Sequence, residues 1–251
     1  MIKETNIEDM KQHLIALGVS KGDNLLVHSS LFSFGRISFN LNELIDLFID
    51  LIGPNGTLFV PTYTFQITEN DIYDPLKTHS EGLGVFSEAV RKHEKMVRSF
   101  CPIHNHCAIG KQANNLLLTN AKYSLGANSD FDFFNQLNVK IILLGADFHN
   151  SCTYLHHVEA VASVPYRKWL KLKRNILINN EVNEMICHYF ARNNDINNTH
   201  FNRIIPHLEN LITVDAPYGK SYSITSQELH KKALKQLIKN PYLFVEPEEN
   251  E

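Results

Sequence analysis

The sequence predicts an α/β fold: a central mixed sheet flanked by helices, with a β-hairpin excursion. Three observations carry this. Short apolar runs at residues 24–28, 57–60 and 139–144 alternate with segments whose apolar residues recur every three or four positions. The third run, which includes Ile141, Ile142, Leu143 and Leu144, ends at Gly145 and leads into a helix-period stretch at residues 152–161. Two strand-like runs, 170–178 and 184–191, flank Asn179-Asn180, residue types that accept the positive φ of a tight hairpin turn.

In chain order, Ile7, Met10, Leu14 and Leu17 share one helical face, so residues 5–17 read as an amphipathic helix closed by Gly18. A turn at Ser20-Lys21-Gly22-Asp23 leads to the first strand, 24–28. Leu41, Leu44, Ile45, Phe48, Leu51 and Ile52 make a second helix. Gly53-Pro54-Asn55-Gly56 is a strong turn before the second strand, which Pro61 should break. Residues 62–84 form a long polar-aromatic stretch, and loops of that length in a compact unit usually carry function. Helices are expected from Val85 to Arg91, over 111–118 and over 130–137. After the hairpin come a helix at 201–211, a strand at 220–225 and a final helix at 226–238. No internal repeat or linker interrupts the chain, so residues 1–251 are expected to form one domain.

Composition narrows the function. The chain has 251 residues, 43% of them hydrophobic and 20% charged, with a formal net charge of −3. These values suit a globular protein, and no Lys/Arg stripe favours nucleic acid. No apolar run approaches a membrane span, and the polar start Met1-Ile2-Lys3-Glu4-Thr5-Asn6 lacks a signal core. The cysteines Cys101, Cys107, Cys152 and Cys187 show no disulfide framework, so a reduced, cytoplasmic protein is expected.

The strongest chemical signal is the pair His156 and Glu159, three apart on one helical face just past a strand end. A carboxylate beside an imidazole fixes its tautomer and raises its basicity, as a general base requires. The bland alternative is real, because thirteen histidines cannot all be catalytic. Val27-His28-Ser29-Ser30-Leu31 runs from a strand into a small polar turn, which suits either an anion at a helix start or an ordinary serine cap. Arg98 beside Ser99 fits a phosphate fork or a surface ion pair. Cys101, His104, His106 and Cys107 form a dense donor set that invites a zinc reading, although the spacing matches no standard knuckle. Cys101 could also be a nucleophile or an inert thiol.

Taken in order, these segments resemble the aminoglycoside 3-N-acetyltransferase family, acetyl-CoA-dependent enzymes whose fold is distinct from the common GNAT fold. The matching pieces are His28-Ser29-Ser30-Leu31 with Gly35, then Gly56-Thr57-Leu58-Phe59-Val60-Pro61-Thr62, then Gly84, Glu88 and Arg91. Arg98-Ser99 with Pro102 and Gly110, Gly126 with Ser129, Leu143-Leu144-Gly145, and Thr153, Leu155, His156 and Glu159 follow. The ending Ala233-Leu234-Lys235-Gln236-Leu237 with Asn240-Pro241-Tyr242 is also similar. The chain departs from the family pattern at Cys101, where His is usual, at Asn105, where Ser is usual, and at Ser129-Asp130, where Ser-Pro is frequent.

The resemblance implies an N-acetyltransferase that uses acetyl-CoA or another short acyl-CoA as co-substrate. His156, assisted by Glu159, would deprotonate an amine that attacks the thioester directly, without an acyl-enzyme. Ser29, Ser30 and Leu31 would hold the pyrophosphate, with Arg98 and Ser99 along the same cofactor. The acceptor would be an amino sugar, either an aminoglycoside 3-amino group or a nucleotide-linked amino sugar. In the long loop, Asp71, Asp74 and Glu81 could supply negative charge for a cationic drug, whereas Tyr63, Phe65 and Tyr73 could stack on a base or sugar. No nucleic-acid or membrane partner is expected, and a homodimer is compatible with this reading. Two competing classes are a zinc-binding hydrolase built on Cys101, His104, His106 and Cys107, and a non-catalytic sugar-binding relative.

Overall fold

The computed structural model describes residues 3–193 and 199–245; the remainder of the 1–251 span expected as one domain lies outside the described residues. A seven-stranded mixed sheet organises the chain. Its order is Ile212–Ala216, Gly219–Thr225, Lys140–Leu144, Asn24–Ser29, Thr57–Pro61, His106–Gly110 and Val97–Arg98. Asn24–Ser29 lies at its centre, parallel to both neighbours, and the outer pairings are antiparallel.

Side chains alternate across a strand, and this alternation splits the core in two. Leu26, Phe59, Ala108, Ile141 and Leu143 point to one face, where they pack with helices Asp130–Gln136, Tyr154–Ala162 and Ser226–Lys239. Leu25, Val27, Leu58, Val60, Ile142 and Leu144 point to the other, against Ile7–Ala16, Leu41–Ile52 and Gly84–Arg91. Leu41–Ile52 shows why such a segment folds as it does. The Asn40 side chain and Glu43 form a reciprocal capping box, and Leu44, Ile45, Phe48 and Ile52 form the buried stripe. Each such burial contributes roughly 1.5–3 kcal/mol.

The hairpin excursion is Arg167–Ile178 paired antiparallel with Glu181–Arg192. Asn179 (φ 52°) and Asn180 (φ 64°) make its turn, the left-handed pair that a two-residue hairpin loop prefers. Ile72–Tyr73 from the long loop adds a third strand to this sheet, parallel to Arg167–Ile178.

Several expectations need correction. Pro61 does not break its strand; it ends it, opposite His106. The segment 201–211 is not one helix. It holds a 3-10 helix, Phe201–His207, and beyond it lies an unexpected strand, Ile212–Ala216. Pro206 lacks the N–H that a longer α-helix would need there. Residues 111–118 also hold a 3-10 helix, Ala113–Leu118. His106–Gly110, to which the sequence assigned no element, is a strand. No helix among the described residues is long and apolar enough to cross a membrane.

Candidate active site

Two cavities meet beyond the carboxyl ends of the parallel strands. The larger, about 580 Å³, is lined by Ser29, Ser30, Leu31, Leu83, Asn150 and Thr153 among others. The smaller, about 220 Å³, is lined by Tyr63, Phe65, His104, His156, Arg167 and Tyr189, and shares Leu83, Asn150 and Thr153 with the first. The shared residues make the two cavities adjoining parts of one site.

The floor of the larger cavity depends on close approach of two strand ends. The Ser30 N–H donates to Leu144 O at 2.9 Å, and the Ser33 hydroxyl donates to Gly145 O at 2.6 Å. A Cβ on Gly145 would stand 2.6 Å from Ser30 O, and its φ is +64°, so only glycine fits there. Beyond Ser30 the chain turns into the 3-10 helix Leu31–Phe34, and Ser30 makes no side-chain cap bond within it. First-turn amides of a helix lack intrahelical partners, and this end faces the cleft. Leu31, Ile37, Leu83, Val85 and Phe86 add an apolar wall. A cleft with polar hydroxyls at a strand end and an apolar flank fits a ligand that joins an anionic head to a flexible apolar arm.

The smaller cavity holds the imidazole–carboxylate pair. His156 and Glu159 lie on Tyr154–Ala162, and His156 Nδ1 stands 2.7 Å from Glu159 Oε2. Glu159 is fully buried, whereas the His156 side chain is 24% exposed. The Tyr166 hydroxyl donates to Glu159 Oε1 at 2.6 Å. Arg167 Nε stands 2.8 Å from Glu159 Oε2, and its Nη2 is 2.8 Å from His156 Nδ1. Burial alone would push the Glu159 carboxyl up, but His156, Arg167 and Tyr166 together bring it below the usual carboxylate range. Burial and the Arg167 charge hold the His156 imidazole below its ordinary value, against the opposing pull of Glu159. The imidazole is therefore neutral near pH 7, the form that accepts a proton. Tyr63, Phe65 and His104 form the opposite wall, with ring centroids 5.0–5.5 Å from Tyr63. His104 Nδ1 is buried and has no hydrogen-bond partner among the described residues.

The structure brings Ser29, Ser30, Leu31, Tyr63, Phe65 and His156 to the two cavities, with Glu159 directly behind His156. It sends Arg98 and Ser99 elsewhere. Arg98 is 2% exposed, and its guanidinium donates to Thr62 O, Thr78 O and Asn105 Oδ1 and sits over the Tyr73 ring. Ser99 is fully buried and donates to Asp130 Oδ2 at 2.6 Å. Both brace the sheet edge rather than line the cleft. Asp74 also lies outside both cavities; its carboxylate accepts from the Leu76 N–H in a local turn. Asp71 and Glu81 likewise cap backbone amides, of Thr68 and Gln66. A loop carboxylate reads the same in sequence whether it faces a ligand or its own backbone.

The zinc alternative fails on strand geometry. His106 and Cys107 are adjacent in a strand and point to opposite faces. His106 Nδ1 is already 2.9 Å from Asp130 Oδ2. Among the described residues no group of three or more His, Cys, Asp or Glu could hold a metal ion. Cys101 is 2% exposed, in a small apolar cluster with Ile103 and Cys187. Burial pushes its thiol well up, which disfavours the thiolate a nucleophile needs. The departures Asn105 and Asp130 fall in the same buried scaffold: Asn105 joins Thr62, Thr64 and Arg98, and Asp130 joins Ser99, His106 and Thr119. His157, beside His156, faces the other way; its Nδ1 accepts from the Gly126 N–H at 3.2 Å.

Sequence reasoning missed Arg167, Tyr166, Asn150 and Tyr189. Arg167 and Tyr166 had one available signal, their position just past the end of the helix carrying His156 and Glu159.

Comparison with known proteins adds a family to this geometry. The family model described as aminoglycoside 3-N-acetyltransferase matches residues 26–235. Aminoglycoside N(3)-acetyltransferase VII of Streptomyces paromomycinus is 27% identical over 191 residues, which cover 68% of this chain and 66% of the relative, just under two thirds of its length. Aminoglycoside N(3)-acetyltransferase IV of Salmonella sp is 28% identical over 247 residues, covering 94% of this chain and 88% of the relative. Among solved structures, AAC-IIIb in a binary complex with CoASH superposes with a TM-score of 0.84 over 98% of this chain and 99% of that one, at 19% identity.

Proposed function

The chain belongs to the aminoglycoside 3-N-acetyltransferase family, and from that premise we propose that it transfers an acetyl group from acetyl-CoA to an amine of an aminoglycoside-type amino sugar. The observation that carries this reading is the junction of the two cavities at Leu83, Asn150 and Thr153, with a strand-end turn on one side and His156 on the other. The family and the CoASH-bound relative support CoA as co-substrate. Ser29, Ser30 and Leu31 would hold its pyrophosphate, and the apolar wall of the larger cavity would take the pantetheine arm. When bound, the thioester supplies an activated acetyl group at the junction.

The acceptor amine enters the smaller cavity, where Tyr63 and Phe65 pack on its ring. His156 takes a proton from the amine as it attacks, with Glu159 holding the imidazole. A C–N bond forms, the C–S bond breaks, and the departing thiolate recovers a proton from the imidazolium. No protein nucleophile is needed, which agrees with the burial of all four cysteines. Placing both substrates against one base converts the encounter into an intramolecular step.

The test is incubation with acetyl-CoA and two acceptor panels, aminoglycosides and nucleotide-linked amino sugars, while free thiol is followed. Release with aminoglycosides supports the proposal. Release only with nucleotide-linked sugars would keep the transferase reading and move the acceptor. No release with either, together with no CoA-dependent rise in melting temperature, would overturn it.

A further inference from the structure

We propose that Arg167 is a positioning residue for the transfer: its guanidinium holds His156 and Glu159 in register and offsets the carboxylate's charge, so that the base rests neutral. This rests on the reading of His156 as the base. The geometry is that of a clamp. Arg167 is the first residue of the hairpin strand Arg167–Ile178, and its side chain is 6% exposed. Its Nε lies 2.8 Å from Glu159 Oε2 as an ion pair without a hydrogen bond, its Nη2 lies 2.8 Å from His156 Nδ1, and its Nη1 donates to Phe190 O at 3.2 Å. One side chain thus ties the catalytic helix to both strands of the hairpin.

A guanidinium only donates hydrogen bonds and a carboxylate only accepts them. His156 Nδ1, with Glu159 Oε2 at 2.7 Å and Arg167 Nη2 at 2.8 Å, cannot satisfy both at once. With the proton on Nδ1, Glu159 is satisfied and Nε2 is bare for the substrate. Arg167 then crowds that N–H and opposes the doubly protonated ring. Glu159 alone would do the reverse, since an unopposed buried carboxylate draws a proton onto its imidazole partner. A resting imidazolium could not accept the amine proton. Arg167 thus keeps the base empty and makes it quick to return the proton to the departing thiolate.

Other groups around His156 do not replace this contribution. Arg192, from the second hairpin strand, adds positive charge and lowers the imidazole further, but less than Arg167 does. His104, across the pocket, is itself held neutral by burial. Phe201, from the 3-10 helix, presents an uncharged ring at 4.7 Å. Tyr166 reaches only the far oxygen of Glu159.

The experiment compares the pH profile of kcat/KM for the wild type, Arg167→Met, Arg167→Gln and Arg167→Lys, alongside an NMR titration of the His156 ring. The neutral variants should move the acid limb up by roughly 1–3 pH units, the size of a lost neighbouring charge, and Arg167→Lys should restore it most of the way. A neutral variant that loses rate with its acid limb and its His156 titration unmoved would overturn the proposal, because packing alone would then account for the loss. The glutamine variant keeps the test open if the methionine variant does not fold. NMR reads the imidazole with no acceptor present. A shifted ring in a protein that transfers no acetyl group would uphold the clamp and sink the transferase reading, whereas an unmoved ring in an active enzyme would do the opposite.

Discussion

The Tyr166 hydroxyl donates to Glu159 Oε1 at 2.6 Å, and both side chains are buried. The carboxylate that orients His156 is thus held from the side opposite the imidazole. Tyr166→Phe removes that donor and leaves a buried anionic oxygen without it. Hydrogen bonds to charged groups contribute about 1.5–3 kcal/mol. Tyr166→Phe should lower kcat about tenfold with little change in the KM for acetyl-CoA and shift the urea midpoint down. Steady-state kinetics and urea melts check both.

His156→Ala should fold, because the side chain is 24% exposed and lines a cavity rather than filling the core. It should retain the CoA-dependent rise in melting temperature and lose turnover by about 10²–10⁴, the usual contribution of a positioned base. Near-normal turnover in this variant would remove the base assignment.

Arg98→Met should act on stability rather than on the cofactor. The buried guanidinium satisfies the carbonyls of Thr62 and Thr78 and the Asn105 side chain. Removing it orphans several acceptors, each at a cost of about 1–3 kcal/mol. A large fall in the urea midpoint with an unchanged Kd for CoA is expected. The reverse pattern would return Arg98 to the cofactor.

Acid should destabilise the fold well before the carboxylates titrate. Burial holds His28 and His157 down at about 3, against an ordinary 6.5. The unfolded chain therefore binds protons that the native state refuses. The stability from these two residues is fully present above about pH 6.5 and is lost steadily as pH falls toward about 3. Urea midpoints at pH 7.5 and pH 5 should differ in that direction; equal midpoints would show that these rings titrate normally.

All four cysteines are buried, and burial raises their thiols, with Cys152 pushed up to about 12 and Cys107 and Cys187 to about 11. Alkylating reagents should react slowly with the native protein and rapidly in denaturant. Cys101→Ser should keep turnover, and metal analysis should find no stoichiometric zinc. Rapid inactivation by a thiol reagent under native conditions would contradict the burial.

Much of this was legible in the chain. Helix Leu41–Ile52 and the Asn179-Asn180 hairpin turn declare themselves through periodicity and turn chemistry, and the His156–Glu159 pair through its spacing. The less legible parts share a cause: their roles depend on partners distant in sequence. Arg98 reads as a phosphate fork until Thr62, Thr78 and Asn105 close around it. His106 and Cys107 read as metal donors until a strand sends them to opposite faces. Arg167 carries no motif, and only the packing of the hairpin against helix Tyr154–Ala162 brings it to His156.

Among the described residues no Asp or Glu lines the smaller cavity, and the Glu159 charge behind it is offset by Arg167. An acceptor bearing several ammonium groups therefore meets aromatic faces and, from the described residues, no strong field drawing it in from solution. Capture would depend on collision and fit, so kcat/KM should change little between low and high ionic strength, unlike in a cleft that concentrates cations electrostatically.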